Sequence, residues 1–138
     1  MQPEPLKAHA FRLRPGQDLK MEIQAFADRE QIEAGWVITC VGSLTHTHLR
    51  LANQSIGSRA EGPFEIVSLV GTVSRNGCHL HLCVCDGQGL ATGGHLLGEN
   101  IIYTTAEVVI GESPNLVFTR EKDGTTEWAE LQVRKKQA

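Results

Sequence analysis

The order of apolar and polar positions divides the chain into one helical segment and a succession of strands. Leu19, Ile23 and Phe26 recur at i, i+4 and i+7, which lines one face of a helix running to about Asp28, and Asp18 stands where an N-cap is expected. Ahead of the helix, after an N-terminal arm of residues 1–7, Ala8 to Leu13 reads as a strand closed by the turn Arg14-Pro15-Gly16. Gly35 ends the helical pattern. The β-branched run Trp36 to Val41, stopped by Gly42, predicts a strand buried on both faces.

From there on, strands follow one another at regular spacing. His46–Ala52, Phe64–Ser74, His79–Asp86 and Ile101–Ile110 read as strands, followed by Leu116–Arg120 and Thr126–Val133. The polar stretch from Asn53 to Gly62 predicts a loop, and Asp86-Gly87-Gln88-Gly89 a turn. Strands separated by Gly, Asn and Pro after a single helix argue for an antiparallel sheet or barrel. No repeat or linker divides the chain, so residues 1–138 are expected to form one domain, with 134–138 as a solvated tail.

Composition narrows the function classes. A chain of 15.1 kDa exposes roughly 7,000 Å² folded against about 22,000 Å² unfolded, enough burial for a core without staples. Hydrophobic residues at 41% and charged residues at 21% exclude wholesale disorder. The net charge of −3 gives no positive field for a phosphate polymer. No stretch approaches the ~18 apolar residues of a membrane span, and the N-terminal segment lacks a secretory apolar region, so a cytoplasmic location is expected. The four cysteines are too few for a disulfide scaffold and are read as reduced thiols.

Chemistry concentrates in His79-Leu80-His81-Leu82-Cys83-Val84-Cys85. On a strand, alternate side chains share a face, so His79 and His81 project in parallel, roughly 6.6 Å apart, close enough to lean onto one ion. Fourteen residues further on, Gly93-Gly94-His95 offers a third imidazole where two glycines allow close chain approach. Three neutral histidines with a vacant position suit a zinc ion that keeps room for water or substrate. The competing reading makes His79 and His81 polar residues on a solvated strand face. Cys83 and Cys85 share that face but diverge from the first pair and are read as small apolar fillers. His46 and His48 form a second His-x-His without a glycine-flanked partner and are read as surface or supporting residues. Glu107 is a candidate to orient a ligand, or to act as a base, if its strand lies beside the histidine strand. Phosphate-loop, dinucleotide, serine-triad and zinc-ribbon signatures do not occur.

Taken together, Phe64-Glu65-Ile66, His79-Leu80-His81, the Asp86-Gly87 turn, Gly93-Gly94-His95 and Thr105-Ala106-Glu107 give nearly the whole chain a resemblance to the PPC domain, the plants and prokaryotes conserved domain. The resemblance implies an α+β fold in which a strongly bent antiparallel sheet packs on one main helix, assembled as a homotrimer. It also implies that His79, His81 and His95 hold zinc or another divalent transition metal, in a fold similar to that of acetolactate decarboxylase, which uses a three-histidine site. Plant members carry AT-hooks, and the family is labelled DNA-binding for that reason. This sequence has no Arg-Gly-Arg core, which weighs against direct DNA binding. The leading expectation is a metal-binding trimer offering an open position to a small polar molecule, with enzymatic activity left open. The alternative is a non-catalytic assembly module in a DNA-associated or regulatory complex.

Overall fold

The computed structural model describes residues 2–137. Its elements are β1 (Lys7–Leu13), α1 (Leu19–Arg29), β2 (Gly35–Arg50), β3 (Ser58–Val73), β4 (His79–Cys85), β5 (Ala91–Leu96), β6 (Ile102–Glu112), β7 (Leu116–Glu121) and β8 (Glu130–Lys135). Six strands form one antiparallel sheet in the order β1-β6-β2-β3-β4-β5, and β7 and β8 form a separate hairpin. Among the described residues no helix is long and apolar enough to cross a membrane.

The helix forms where its apolar stripe and cap predict it. The Asp18 carboxylate accepts from the Met21 N–H at 3.1 Å and, through its other oxygen, from the Glu99 N–H at 2.6 Å. One side chain thus caps α1 and ties it to the segment leading into β6. Leu19, Ile23, Phe26 and Ala27 are buried, and Phe26 stacks on Phe11 of β1 with ring centres 4.1 Å apart. Leu80, Leu82 and Val84 supply the β4 share of the same core.

Sequence reading divides β2 into two strands at Gly42, but the chain runs through as one strand of 16 residues. Gly42 is a contact residue there: a Cβ would run into the backbone of Thr105 and Ala106 on β6. Straight, such a strand would span about 50 Å, too long for a domain whose radius of gyration is about 14 Å. It bends, with a register irregularity between Leu44 and His46. The bend lets β2 pair with β6 from Gly35 to Leu44 and then with β5 at Leu49 and Arg50, while β3 occupies its other edge. The β5 edge therefore curls back onto β2, and the region from β2 to β5 closes.

Other expectations shift. The run Trp36–Val41 is covered on one face only: Val37 and Cys40 are buried, whereas Ile38 and Val41 are 47% and 56% exposed. An antiparallel sheet with its helix on one side leaves the other side uncovered in a single chain. The loop expected over Asn53–Gly62 is shorter, because β3 begins at Ser58. Gly93-Gly94-His95 lies in a regular strand, β5. Thr126–Ala129 belongs to the hairpin turn, so the last strand starts at Glu130 and takes Arg134 and Lys135 out of the expected tail. Arg134 pairs there with Glu121 at 2.7 Å.

Gly71 has φ +141° beside β4, and a Cβ there would overlap the His79 carbonyl. Gly71→Ala is expected to cost about 2 kcal/mol or more in urea denaturation. Gly87→Ala, in open space, is expected to change stability by less than about 1 kcal/mol.

Candidate metal centre

Strand β4 alternates as its sequence dictates: Leu80, Leu82 and Val84 point into the core, and His79 and His81 point outward. The turn to β5 is locally determined. The Asp86 carboxylate accepts from the N–H groups of Gln88 (2.8 Å) and Leu90 (3.0 Å), and Gly89 takes φ +81°. β5 then runs between β4 and the end of β2. A Cβ on Gly93 would sit 2.7 Å from the Leu82 carbonyl of β4, and one on Gly94 would sit 2.7 Å from the Arg50 carbonyl of β2. These glycines let β5 fit between its neighbours, which sets His95 opposite His81 on one side and Arg50 on the other.

The three rings converge. Their centres are 5.0 Å (His79–His81), 5.3 Å (His79–His95) and 5.8 Å (His81–His95) apart. One nitrogen from each lies within 4.8 Å of the others. A tetrahedral zinc with bonds of 2.0–2.1 Å needs nitrogens about 3.3 Å apart, a closure within reach of small side-chain rotations. None of these three rings has a hydrogen-bond partner among the described residues, whereas the other three histidines each have one: His9 with Glu112 (2.9 Å), His46 with Thr45 (3.0 Å) and His48, through Nδ1–H, with the Gly98 carbonyl (2.8 Å).

The protonation state fits the same use. Burial, then the Arg50 guanidinium, pushes His95 down to about 4 from its ordinary 6.5. Burial and then Arg120 also lower His79. Imidazoles that stay neutral keep their lone pairs for a metal, so the donor set suits a nitrogen-preferring divalent ion.

Residues that sequence reasoning missed complete the surroundings. Arg50 comes from the end of β2, and Arg120, Trp128 and Glu130 come from the β7–β8 hairpin and its turn. A cavity of about 380 Å³ lies between Arg50, His79, His95, Arg120, Trp128 and Glu130. A second, of about 250 Å³, adjoins it beside His79 and His81. Local sequence carries no signal for this, because the hairpin reaches β4 only through the tertiary fold: Arg120 donates to Thr72 Oγ1 at 2.7 Å, and Thr72 pairs with His79.

Other sequence candidates lie elsewhere. Glu107 is exposed on β6, which pairs with β1 and β2 and not with β4, so the condition for its supporting role is not met within this chain. His46 and His48 sit at the bend of β2, outside the group that could hold an ion. Cys83 and Cys85 share the outward side of β4 without joining the three rings, and all four cysteines are free thiols.

Comparison with known proteins agrees with the fold. The model of the Plants and Prokaryotes Conserved (PCC) domain matches residues 1–114. Two curated relatives, each a bifunctional protein GlmU from a Synechococcus strain, are 42% and 43% identical over 97% and 94% of this chain. The chain spans 21% of their length. A solved structure of a hypothetical protein from Salmonella enterica is 38% identical with a TM-score of 0.96, covering 99% of both chains. The metal-containing protein from Archaeoglobus fulgidus has a TM-score of 0.78 at 24% identity, covering 96% of this chain and 99% of its own, a likeness of fold.

The low value of His95 has a measurable consequence. An unfolded chain takes up the proton near 6.5 and the folded one only near 4, so the unfolded state binds it first as pH falls. Stability of the metal-free protein is therefore expected to decline as pH drops from about 6.5 towards 4, more steeply in wild type than in His95→Gln, in thermal melts across that window.

Proposed function

The chain belongs to the Plants and Prokaryotes Conserved domain family, and from that premise we propose that it is a homotrimeric protein that binds a divalent metal, zinc or a similar transition ion, through His79, His81 and His95. The observation that carries the reading is the contrast among the six histidines. Three have hydrogen-bond partners, and the three without one among the described residues converge on one point. A chance gathering of exposed strand histidines would not require Gly93 and Gly94 to seat the third ring opposite the second. The metal-containing Archaeoglobus relative supports the same reading.

A divalent ion held by three imidazoles supplies a Lewis-acid centre with a coordination position left for a ligand. The rest of the centre belongs to the chain. Arg50 and Trp128 wall one side, their groups 5.2 Å apart from guanidinium carbon to ring centre. Glu130 is the one carboxylate lining the two cavities among the described residues, which makes it the group placed to exchange a proton with a bound molecule.

The exposed surface of the single chain supports the trimer. The chain exposes 8,076 Å², about 1,000 Å² more than the roughly 7,000 Å² expected of a compact monomer of its mass. Part of the excess is apolar: Ile38, Val41, Val67 and Val70 are exposed on the central strands. The register that pairs Trp36 with Thr72 and Gly42 with Ile66 brings Ile38 beside Val70 and Val41 beside Val67. A contiguous β-branched patch in the middle of a sheet is the kind of surface that another subunit covers.

Elemental analysis of purified protein is expected to find one metal per chain, lost in the His79→Ala, His81→Ala double variant. Full metal content in that variant would exclude these ligands. At a hundred times its Kd, the metal adds about 2.7 kcal/mol, so a chelator is expected to lower Tm by roughly 10 °C. Sedimentation is expected to give about three times 15.1 kDa, with Val41→Lys shifted towards the monomer. A monomeric wild type would overturn the trimer.

A further inference from the structure

We infer that the molecule recognised at this centre carries a small oxyanion, a carboxylate or phosphate group, whose charged oxygens are held by Arg50 and Arg120 beside the three histidines. The inference rests on the metal reading above and names the class of ligand that goes with it.

The two guanidinium groups reach the centre from different elements. Arg50 is the cross-strand neighbour of His95 on β2. Arg120 on β7 is held by the hydroxyl of Thr72, the cross-strand neighbour of His79. Both line the cavity of about 380 Å³, which falls at the small end of the range for organic ligands and offers more room than a bare ion needs.

Neither arginine is in an ion pair among the described residues. The ion pairs among the described residues are His9–Glu112, Arg59–Glu99, Arg134–Glu121 and Lys136–Glu33. Glu130, the carboxylate that shares the cavity, instead accepts from the Thr126 hydroxyl at 2.6 Å. A divalent ion on three neutral rings, added to two free guanidinium groups, gathers positive charge that one carboxylate does not balance, and an anionic ligand does.

The donors are also prepared for oxygen ligands. A guanidinium has five N–H donors in a planar fork that matches carboxylate and phosphate geometry. Arg120 has committed one amino group to Thr72, and the Arg50 guanidinium, flanked by the Trp128 ring, has its N–H groups free of acceptors among the described residues. Arg120, Trp128 and Glu130 all lie beyond residue 114, where the match to the domain family ends. Recognition is thus assigned jointly to the domain, through Arg50, and to the C-terminal hairpin.

The test loads the intact protein with cobalt(II), whose visible absorption reports on its ligands, and titrates it with inorganic phosphate and, separately, with acetate. The expected result is a saturable change in the cobalt bands with at least one of the two anions, the more effective one identifying the oxyanion. Arg50→Gln and Arg120→Gln are expected to develop the cobalt bands on loading, which shows that they are folded and metal-competent, but to need at least about tenfold more anion for half-saturation. Bands that neither anion alters, or identical midpoints in wild type and both variants, would overturn the oxyanion assignment while leaving the metal reading intact. Absence of cobalt bands from wild type would overturn both.

Discussion

The centre depends on the closure of β5 between β4 and the end of β2. That closure is a steric matter before it is a chemical one. Two adjacent residues without side chains, Gly93 and Gly94, face the Leu82 carbonyl and the Arg50 carbonyl at distances that no Cβ would tolerate without displacement. With β5 in place, His95 is opposite His81, and Arg50 is the next residue across. Without it, the His-x-His of β4 would face solvent on an edge strand, and Arg50 would have no relation to it. The bend of β2 is the other half of the same constraint, because only a bent β2 can pair with β6 along one stretch and meet β5 along the next.

This explains which parts of the molecule were legible in the sequence. Period-two alternation in β4 and the stripe with its cap in α1 are local properties, and both elements form where the pattern puts them. The three histidines could be gathered from spacing and glycine content because the hairpin from β4 to β5 is short and its Asp86 turn is self-contained. Gly42 misled because a glycine inside a strand and a glycine ending one look alike until the neighbouring backbone is known. The Trp36–Val41 run misled because apolar composition does not say whether a second face is covered by the same chain or by another. Sheet order does not bring Glu107 beside the histidines within this chain, since β2 and β3 separate its strand from β4. Arg50, Arg120 and Trp128 were invisible for a related reason: each reaches the centre by register or by hairpin packing, and their sequence neighbours say nothing of it.

The electrostatics of the centre follow from this arrangement and pull in two directions. Burial and the nearby guanidinium groups hold His95 and His79 below their ordinary values, so the rings need not shed protons before binding a cation at neutral pH. The same guanidinium groups repel the cation that the neutral rings attract. A centre built to hold only a metal would be better served by carboxylates facing the histidines, which would orient the rings and add negative charge. Placing arginines there instead makes sense when the metal is one part of a composite site and the other part is an anion. Affinity for each then increases in the presence of the other, because the charge that opposes the first ligand is the charge that attracts the second.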